Sequence, residues 1–279
     1  MKKLMSGALV AFLLLCACTK KGTEDPNNPP EPPETPETAP PIQKSVSVNV
    51  NGKIGGYLEA LPARYDSSTK KYPLLVFLHG AGETGNGTTD LSEVAKNAIP
   101  ALIKNQKFPP SFTVNNKTYS FIVISPQFKS WPAPADVNAM INYAISKYRI
   151  DTTRMYVSGL SMGGGGTWEY GAAFAKRIAA IVPICGASSP NDARAKQIAD
   201  AHLAVWAFHN KDDSTVTVNN STGYVNKING LNANPQAKLT LWNTGGHNSW
   251  TKATNPDTKD NGMNMYEWML QYQRGVTTQ

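Results

Sequence analysis

The chain has 279 residues, 41% of them hydrophobic and 17% charged, with 27 Lys+Arg against 20 Asp+Glu for a net charge of +7. That suffices to bury one sizeable core and is too short for several large domains. The basic residues never run beyond pairs such as Lys2-Lys3, Lys20-Lys21 and Lys70-Lys71, which excludes a nucleic-acid-binding stripe. Of the three cysteines, two lie within the first 18 residues, which excludes a disulfide framework and a Cys-rich zinc site.

Residues 1–17 read as a secretory signal: Lys2 and Lys3 precede a short apolar run, Ala8–Leu15, too short to span a bilayer. The run ends in Leu15-Cys16-Ala17-Cys18, which resembles a bacterial lipobox. Ala17 before it and Leu15 three residues back select Cys18 for acylation. On that resemblance the mature chain starts at Cys18, is held to the membrane by its lipid alone, and, with Thr19 in place of Asp, belongs to the outer membrane of a Gram-negative cell envelope. Residues 18–41 read as a disordered tether. Its stretch 20–41 holds 8 of the 20 prolines and no aromatic residue, so it cannot bury apolar surface. Without the four Lys and five acidic residues of positions 1–41, the body from Ile42 to Gln279 keeps 23 basic and 15 acidic residues, a net +8.

The body alternates strands and helices. Ser45–Val50 (SVSVNV) is a half-buried strand, Asn51-Gly52 a turn and Ile54–Leu61 its hairpin partner. The continuous apolar runs Leu74–Leu78 and Phe121–Ser125 read as buried parallel strands. Leu91–Asn105 and Asp136–Tyr148 have helical spacing. Met155–Ser158 is a short strand, Thr167–Ala175 a helix, and Ile178–Ile184, Leu203–Phe208 and Lys238–Trp242 further strands. Met263–Tyr272 closes the chain as an amphipathic helix. This order predicts one α/β domain with a mostly parallel sheet, helices on both faces, an N-terminal hairpin and no large lid.

Gly159-Leu160-Ser161-Met162-Gly163 is a G-x-S-x-G elbow between a strand and a helix, where a sharp turn lifts the serine hydroxyl above the sheet edge. Ser161 is therefore the expected nucleophile. His79-Gly80-Ala81-Gly82-Glu83 follows a buried strand and offers backbone N–H groups at Ala81 or Gly82 to join that of Met162 in an oxyanion hole. His79 and Glu83 are expected to brace that loop. The expected base is His247, in the glycine-rich Thr244–Asn248 loop; the expected acid is Asp213, four residues after His209, with Asp212 its competitor. Trp131 and Trp250 lie on loops near these positions and are candidates for walls of a substrate cleft. Cys185 reads as an inert buried thiol. The His and Asp/Glu residues show no metal-ligand spacing, so neither a metal nor another cofactor is expected.

Leu75–Glu83, Gly159–Trp168, Ala180–Gly186, the His209–Asp213 loop and Gly246–Trp250 together resemble bacterial α/β-hydrolase serine esterases of the dienelactone-hydrolase and feruloyl/acetyl-xylan-esterase-like set, some of them labelled predicted peptidases. The similarity covers most of residues 45–273. Members often have His-Gly where this chain has His209-Asn210. The resemblance implies an α/β-hydrolase fold, the chain order Ser161, Asp213, His247 and a serine esterase; a monomer is expected. The set's substrate range is broad, so the resemblance fixes no substrate; secretion, the lack of room for a large lid and the candidate aromatic cleft walls point to acyl esters such as acetyl or feruloyl groups on polysaccharides. A peptidase or polyester depolymerase with the same triad, or a non-catalytic glycan-binding lipoprotein, are the rivals.

Overall fold

The computed structural model describes residues 36–275; the signal 1–17, Cys18 and most of the 18–41 tether lie outside them. Strands β1 (Ile42–Asn51) and β2 (Ile54–Leu61) form an antiparallel hairpin. Asn51 closes it, its side-chain oxygen accepting from the backbone N–H groups of Lys53 at 2.8 Å and Ile54 at 3.0 Å. The chain then builds β3 (Tyr72–Leu78), α1 (Ala98–Lys104), a small hairpin β4 (Phe112–Val114) and β5 (Lys117–Tyr119), β6 (Ile122–Phe128), α2 (Pro134–Lys147), β7 (Ile150–Leu160) and α3 (Met162–Ala173). It continues with β8 (Ala180–Ile184), α4 (Asp192–Asp200), β9 (Ala204–Asn210), α5 (Asn219–Gly230), β10 (Lys238–Trp242), α6 (Trp250–Ala253) and α7 (Met265–Met269).

Eight strands make one sheet in the order β1-β2-β6-β3-β7-β8-β9-β10. β1, β2 and β6 pair antiparallel, and every pair from β6 to β10 is parallel. This is the α/β-hydrolase architecture anticipated from the alternation of elements. Every residue of β3 and β6 is buried, as continuous apolar runs require when both faces of a sheet are covered. The period of two divides each strand between two cores. Leu74, Val76 and Leu78 pack with Met140 of α2, Trp168 of α3, Ile198 of α4 and Tyr224 of α5. Leu75 and Phe77 join Ile99 and Ile103 of α1, Phe112 of β4 and Tyr266 and Met269 of α7.

Parallel register aligns the strand ends that carry the site. Leu78 pairs with Gly159, Leu160 with Ile184, Ile184 with Phe208, and His209 with Leu241. The chain leaves β3 toward β6 on one side and returns through α2 to β7 on the other. The crevice at their carboxyl ends is thus a point where strand order reverses, the usual place for a ligand in open α/β sheets.

Several elements differ from expectation. The helix expected over 91–105 is a 3-10 turn, Leu91–Lys96, then an extended Asn97, then α1. Restarting at Ala98 puts Pro100 in a first turn, where its missing N–H does no harm. Helix α3 begins at Met162 rather than Thr167, because Gly163–Gly166 are helical despite their low propensity. Helices α4, α5 and α6 and the β4-β5 hairpin were not anticipated. The hairpin turns on Asn115 and Asn116, both at positive φ, a conformation Asn tolerates. Packing also starts before Ile42: Glu37 is buried and its carboxylate accepts from the Arg64 backbone N–H at 2.8 Å.

Arg274 helps fasten the end of the described residues. The Arg274 guanidinium donates to the Ala201 carbonyl at 2.8 Å and to the carbonyls of Ala175 and Ile178, so three carbonyls in two separate connections, α3–β8 and α4–β9, share one donor group. Arg274→Ala removes a charged donor from all three. We expect a loss of roughly 2–4 kcal/mol, read as a fall in Tm of about 5–10 °C. An unchanged melting curve would show that water replaces the guanidinium without cost.

Candidate active site

Ser161 sits between β7 and α3 with φ 52° and ψ −114°, a strained conformation for an L-residue. Its neighbours explain why the turn is this tight. A Cβ on Gly159 would lie 2.6 Å from the Gly163 carbonyl carbon and 2.7 Å from the Leu78 oxygen; one on Gly163 would lie 2.1 Å from that oxygen and 2.5 Å from the His79 oxygen. Only glycine at both positions lets the first turn of α3 press against the end of β3. Ser161 is held from both sides, its N–H donating to Ile184 O at 3.0 Å and its carbonyl accepting from Ala187 N at 3.0 Å and Gly165 N at 2.9 Å.

The structure brings Ser161, His247 and Asp213 into one hydrogen-bonded chain. His247 Nε2 is 2.8 Å from Ser161 Oγ, and His247 Nδ1 is 2.7 Å from Asp213 Oδ2. With Nδ1–H donating to the carboxylate, Nε2 is free to accept the serine proton. The Asp213 side chain is fully buried, while that of His247 keeps 21% of its surface exposed, so solvent and substrate reach the base but not the acid. Burial alone would raise the Asp213 carboxyl. Hydrogen bonds from His247 and from the backbone N–H groups of Val216 and Thr215, both at 2.9 Å, outweigh it and hold the group below the ordinary carboxylate value. His209 supports the same carboxylate from behind: its Nε2 lies 3.2 Å from Asp213 Oδ2 and 3.0 Å from Val216 O, while Nδ1 faces Ser221 Oγ at 2.8 Å. Burial lowers the His209 pKa, so this second histidine stays neutral.

Asp212, the competing acid, has a different place. Its two carboxylate oxygens accept the backbone N–H groups of Gly246 at 2.9 Å and Gly245 at 3.1 Å. Asn210 adds a third tie, its side-chain amide donating to Gly246 O at 2.9 Å. A Cβ on Gly245 would lie 2.5 Å from that amide nitrogen. Asn210 and Asp212 therefore clamp the histidine loop at the two residues before His247. Sequence reading placed Asn210 as a departure from related chains and did not see this role, since the contact spans 36 residues.

The loop after β3 lies against the nucleophile: a Cβ on Gly80 would be 3.8 Å from Ser161 Cβ. Ala81–Glu83 form a single 3-10 turn in which Glu83 N donates to Gly80 O. The N–H groups of Ala81 and Gly82 belong to its first turn, where no intrahelical acceptor exists. They and Met162 N–H, at the start of α3, are the groups expected from the sequence as oxyanion donors. His79 is not near Ser161 in bonding terms. Its Nε2 accepts from Phe128 N at 2.9 Å, so Nδ1 carries the proton and donates to Gly80 O at 2.6 Å; burial lowers its pKa. Buried Gln127 completes the brace, donating to the carbonyls of Glu83 at 3.0 Å and Asp90 at 2.9 Å and accepting from Gly87 N at 2.8 Å. Glu83 accepts from the Asn97 amide.

Trp250 meets His247 edge to face, centroids 5.4 Å apart. Trp131 lies over α3 against Gly165. Cys185, Asp213 and His247 form a described group whose potential metal-binding atoms gather within 4.8 Å. Burial pushes the Cys185 thiol up to about 11, and Asp213 and His247 are already hydrogen-bonded to each other.

The family model for phospholipases/carboxylesterases matches residues 65–255. Among solved structures, a thermostable esterase aligns with TM-score 0.59 and 25% identity over 84% of this chain; the chain spans 63% of that esterase's length. A ferulic acid esterase aligns with TM-score 0.53 and 19% identity over 75% of this chain and 93% of its own. A putative dienelactone hydrolase from Klebsiella pneumoniae gives TM-score 0.53 and 14% identity over 83% and 96%.

The clamp has a measurable consequence. Asp212→Ala frees two N–H groups of the histidine loop, and Asn210→Ala frees a carbonyl. Either change should lower kcat on a small ester roughly 10-fold or more while leaving KM within about threefold, as expected when a loosened His247 misses its hydrogen bond to Ser161. Wild-type kcat in both variants would show that the loop holds its shape unaided.

Proposed function

We propose that this chain, which belongs to the phospholipase/carboxylesterase family, is a serine carboxylic-ester hydrolase acting on acyl esters of polysaccharides, tethered to the outer membrane through Cys18. The single observation behind the catalytic part is the continuous Asp213–His247–Ser161 hydrogen-bond chain at a strained elbow.

In the first half-reaction His247 Nε2 takes the Ser161 proton as Oγ attacks the ester carbonyl. Asp213 orients the imidazole and stabilises the imidazolium. The negative charge on the tetrahedral oxygen is received by Met162 N–H and by Ala81 or Gly82 N–H. The carbon–alkoxy bond then breaks, and the departing alcohol takes the proton from His247. In the second half-reaction His247 deprotonates water, which attacks the acyl-enzyme; the acid leaves and Ser161 regains its proton. The chain's own residues hold and move every proton in this cycle.

The polysaccharide assignment draws support from two sides. The fold is shared with a ferulic acid esterase. Trp131 lies over α3 against Gly165, and Trp250 lies against His247.

Hydrolysis of p-nitrophenyl acetate by the wild type should fall by several orders of magnitude in Ser161→Ala, leaving a residual ~10³–10⁴ over water. A panel of methyl ferulate, acetylated xylan, short and long aryl esters and an aminoacyl amide then ranks substrates. Preference for long-chain esters or the amide would defeat the polysaccharide part, and equal rates in wild type and Ser161→Ala would defeat the whole reading. For the tether, metabolic labelling with an alkyne fatty acid should mark the wild-type protein and not Cys18→Ala; equal labelling would place the lipid elsewhere.

A further inference from the structure

Helix α3 opens with four consecutive glycines, Gly163 to Gly166. Each costs about 1 kcal/mol relative to alanine in a helix interior, so each calls for a reason. Backbone crowding supplies it for two. A Cβ on Gly163 would meet the Leu78 oxygen at 2.1 Å, and one on Gly164 the Ile184 oxygen at 2.5 Å. The other two face side chains of a loop. A Cβ on Gly165 would lie 2.6 and 2.9 Å from two ring carbons of Trp131, and one on Gly166 would lie 2.5 Å from Pro132 Cγ. Half of the glycine run therefore makes a seat for Trp131-Pro132.

The seated indole is also fixed at its polar edge. Trp131 Nε1 donates to Glu169 Oε2 at 2.8 Å. Glu169 Oε1 accepts from Ser188 Oγ at 3.1 Å and pairs with Arg194 at 3.2 Å. Arg194 in turn donates to Ser188 Oγ at 3.1 Å and to Tyr224 OH at 3.4 Å, and Tyr224 stacks on buried Trp168 with centroids 4.3 Å apart. Such a chain of supports anchors a residue to the core. Yet Trp131 remains 38% exposed, one of only three exposed large hydrophobic residues among those described. This one is held rigid with part of its ring in solvent.

Its position relates it to the reaction. Gly165, under the ring, donates its N–H to Ser161 O at 2.9 Å, so the indole sits one helical turn, about 5.4 Å along the axis, from the nucleophile's backbone. The Glu169 carboxylate at its Nε1 edge keeps 17% of its side-chain surface exposed, and Arg194, paired with that carboxylate, keeps 34%. An aliphatic acyl chain needs an enclosed apolar slot to leave water. A partly exposed indole with a carboxylate at its polar edge and a guanidinium paired to that carboxylate instead suits a ring that is apolar on its faces and hydroxylated at its edge. We propose that Trp131 is a glycosyl-binding platform: a sugar ring of the substrate stacks on its exposed face, with hydroxyls directed to Glu169 and Arg194. This rests on the ester-hydrolase reading for its catalytic consequence, and on the geometry around Trp131 alone for binding.

The test has two arms on the full chain. In the first, kcat/KM is measured for wild type, Trp131→Ala and Trp131→Phe on acetylated xylo-oligosaccharides and on p-nitrophenyl acetate. Trp131→Ala should lose 10- to 100-fold on the oligosaccharide, chiefly through KM, and the loss should exceed that on the aryl ester by at least tenfold; Trp131→Phe should recover most of it. Leu231→Ala, which changes another exposed apolar residue far along the chain, should match wild type. Losses of equal size on both substrates, or none on the oligosaccharide, would overturn the platform. In the second arm, catalysis is removed. Ser161→Ala should bind unesterified xylotetraose, followed by isothermal titration calorimetry, and Ser161→Ala/Trp131→Ala should bind at least tenfold more weakly with an unchanged Tm. Absent or equal binding would overturn the proposal even if every ester were hydrolysed. A wild type that binds xylotetraose through Trp131 but turns over no ester would sustain the platform and defeat the hydrolase reading.

Discussion

One contact sets the geometry of this protein: the first turn of α3 lies directly on the last residues of β3. It exists only because Gly159 and Gly163 have no side chain to hold the Leu78 and His79 carbonyls away. The chain must then reverse within one residue, and Ser161 takes up the strain at φ 52°. The same approach brings Gly80, at the start of the loop bearing Ala81 and Gly82, beside Ser161 Cβ. The serine elbow and the neighbouring loop expected to supply oxyanion donors are products of a single backbone contact. Parallel register across β3, β7, β8 and β9 carries the other loops to the same edge.

The remaining site residues are held by polar ties rather than by a core. Asn210, Asp212 and Asp213 follow one another at the end of β9 and divide the work. Two grasp Gly245 and Gly246, and the third meets His247. Acid and base are thereby fastened to each other through the loop as well as through their own hydrogen bond. A positioned imidazole matters because misplacement by about 1 Å can cost ~10²-fold in rate. The flexibility of Gly245 and Gly246, at φ 141° and 56°, is what allows the loop to be clamped so close to His247. On the opposite side His79, Gln127 and Phe128 serve the oxyanion loop in the same way.

Much of this was legible in the sequence for identifiable reasons. Leu74–Leu78 and Phe121–Ser125 announce buried strands because parallel strands are apolar without alternation, and G-x-S-x-G after a strand announces the elbow because the turn admits little else. Other features were hidden. Gly163–Gly166 read as loop, since propensity opposes a helix there and only tertiary contacts impose one. Helix α5 carries Asn219, Asn220, Gly223 and Asn226, a composition that reads as turn until Tyr224, Val225 and Ile228 are seen to face the core. Asp212 and Asp213 are adjacent, so spacing alone could not separate acid from clamp; the structure does so by pointing one at His247 and the other at the glycines before it. The support of Trp131 by Glu169, Arg194 and Tyr224 joins three distant segments and leaves no local signal.

The central claim is that Ser161 is activated as a nucleophile by His247 and Asp213. Covalent capture tests it most directly. Treated with a fluorophosphonate, the full chain should form one Ser Oγ–phosphorus bond with loss of fluoride. Peptide mass mapping should place the whole adduct on Ser161, and the labelling rate should fall at least 10²-fold in His247→Ala. An adduct on another residue, no adduct, or equal labelling of wild type and His247→Ala would contradict the account.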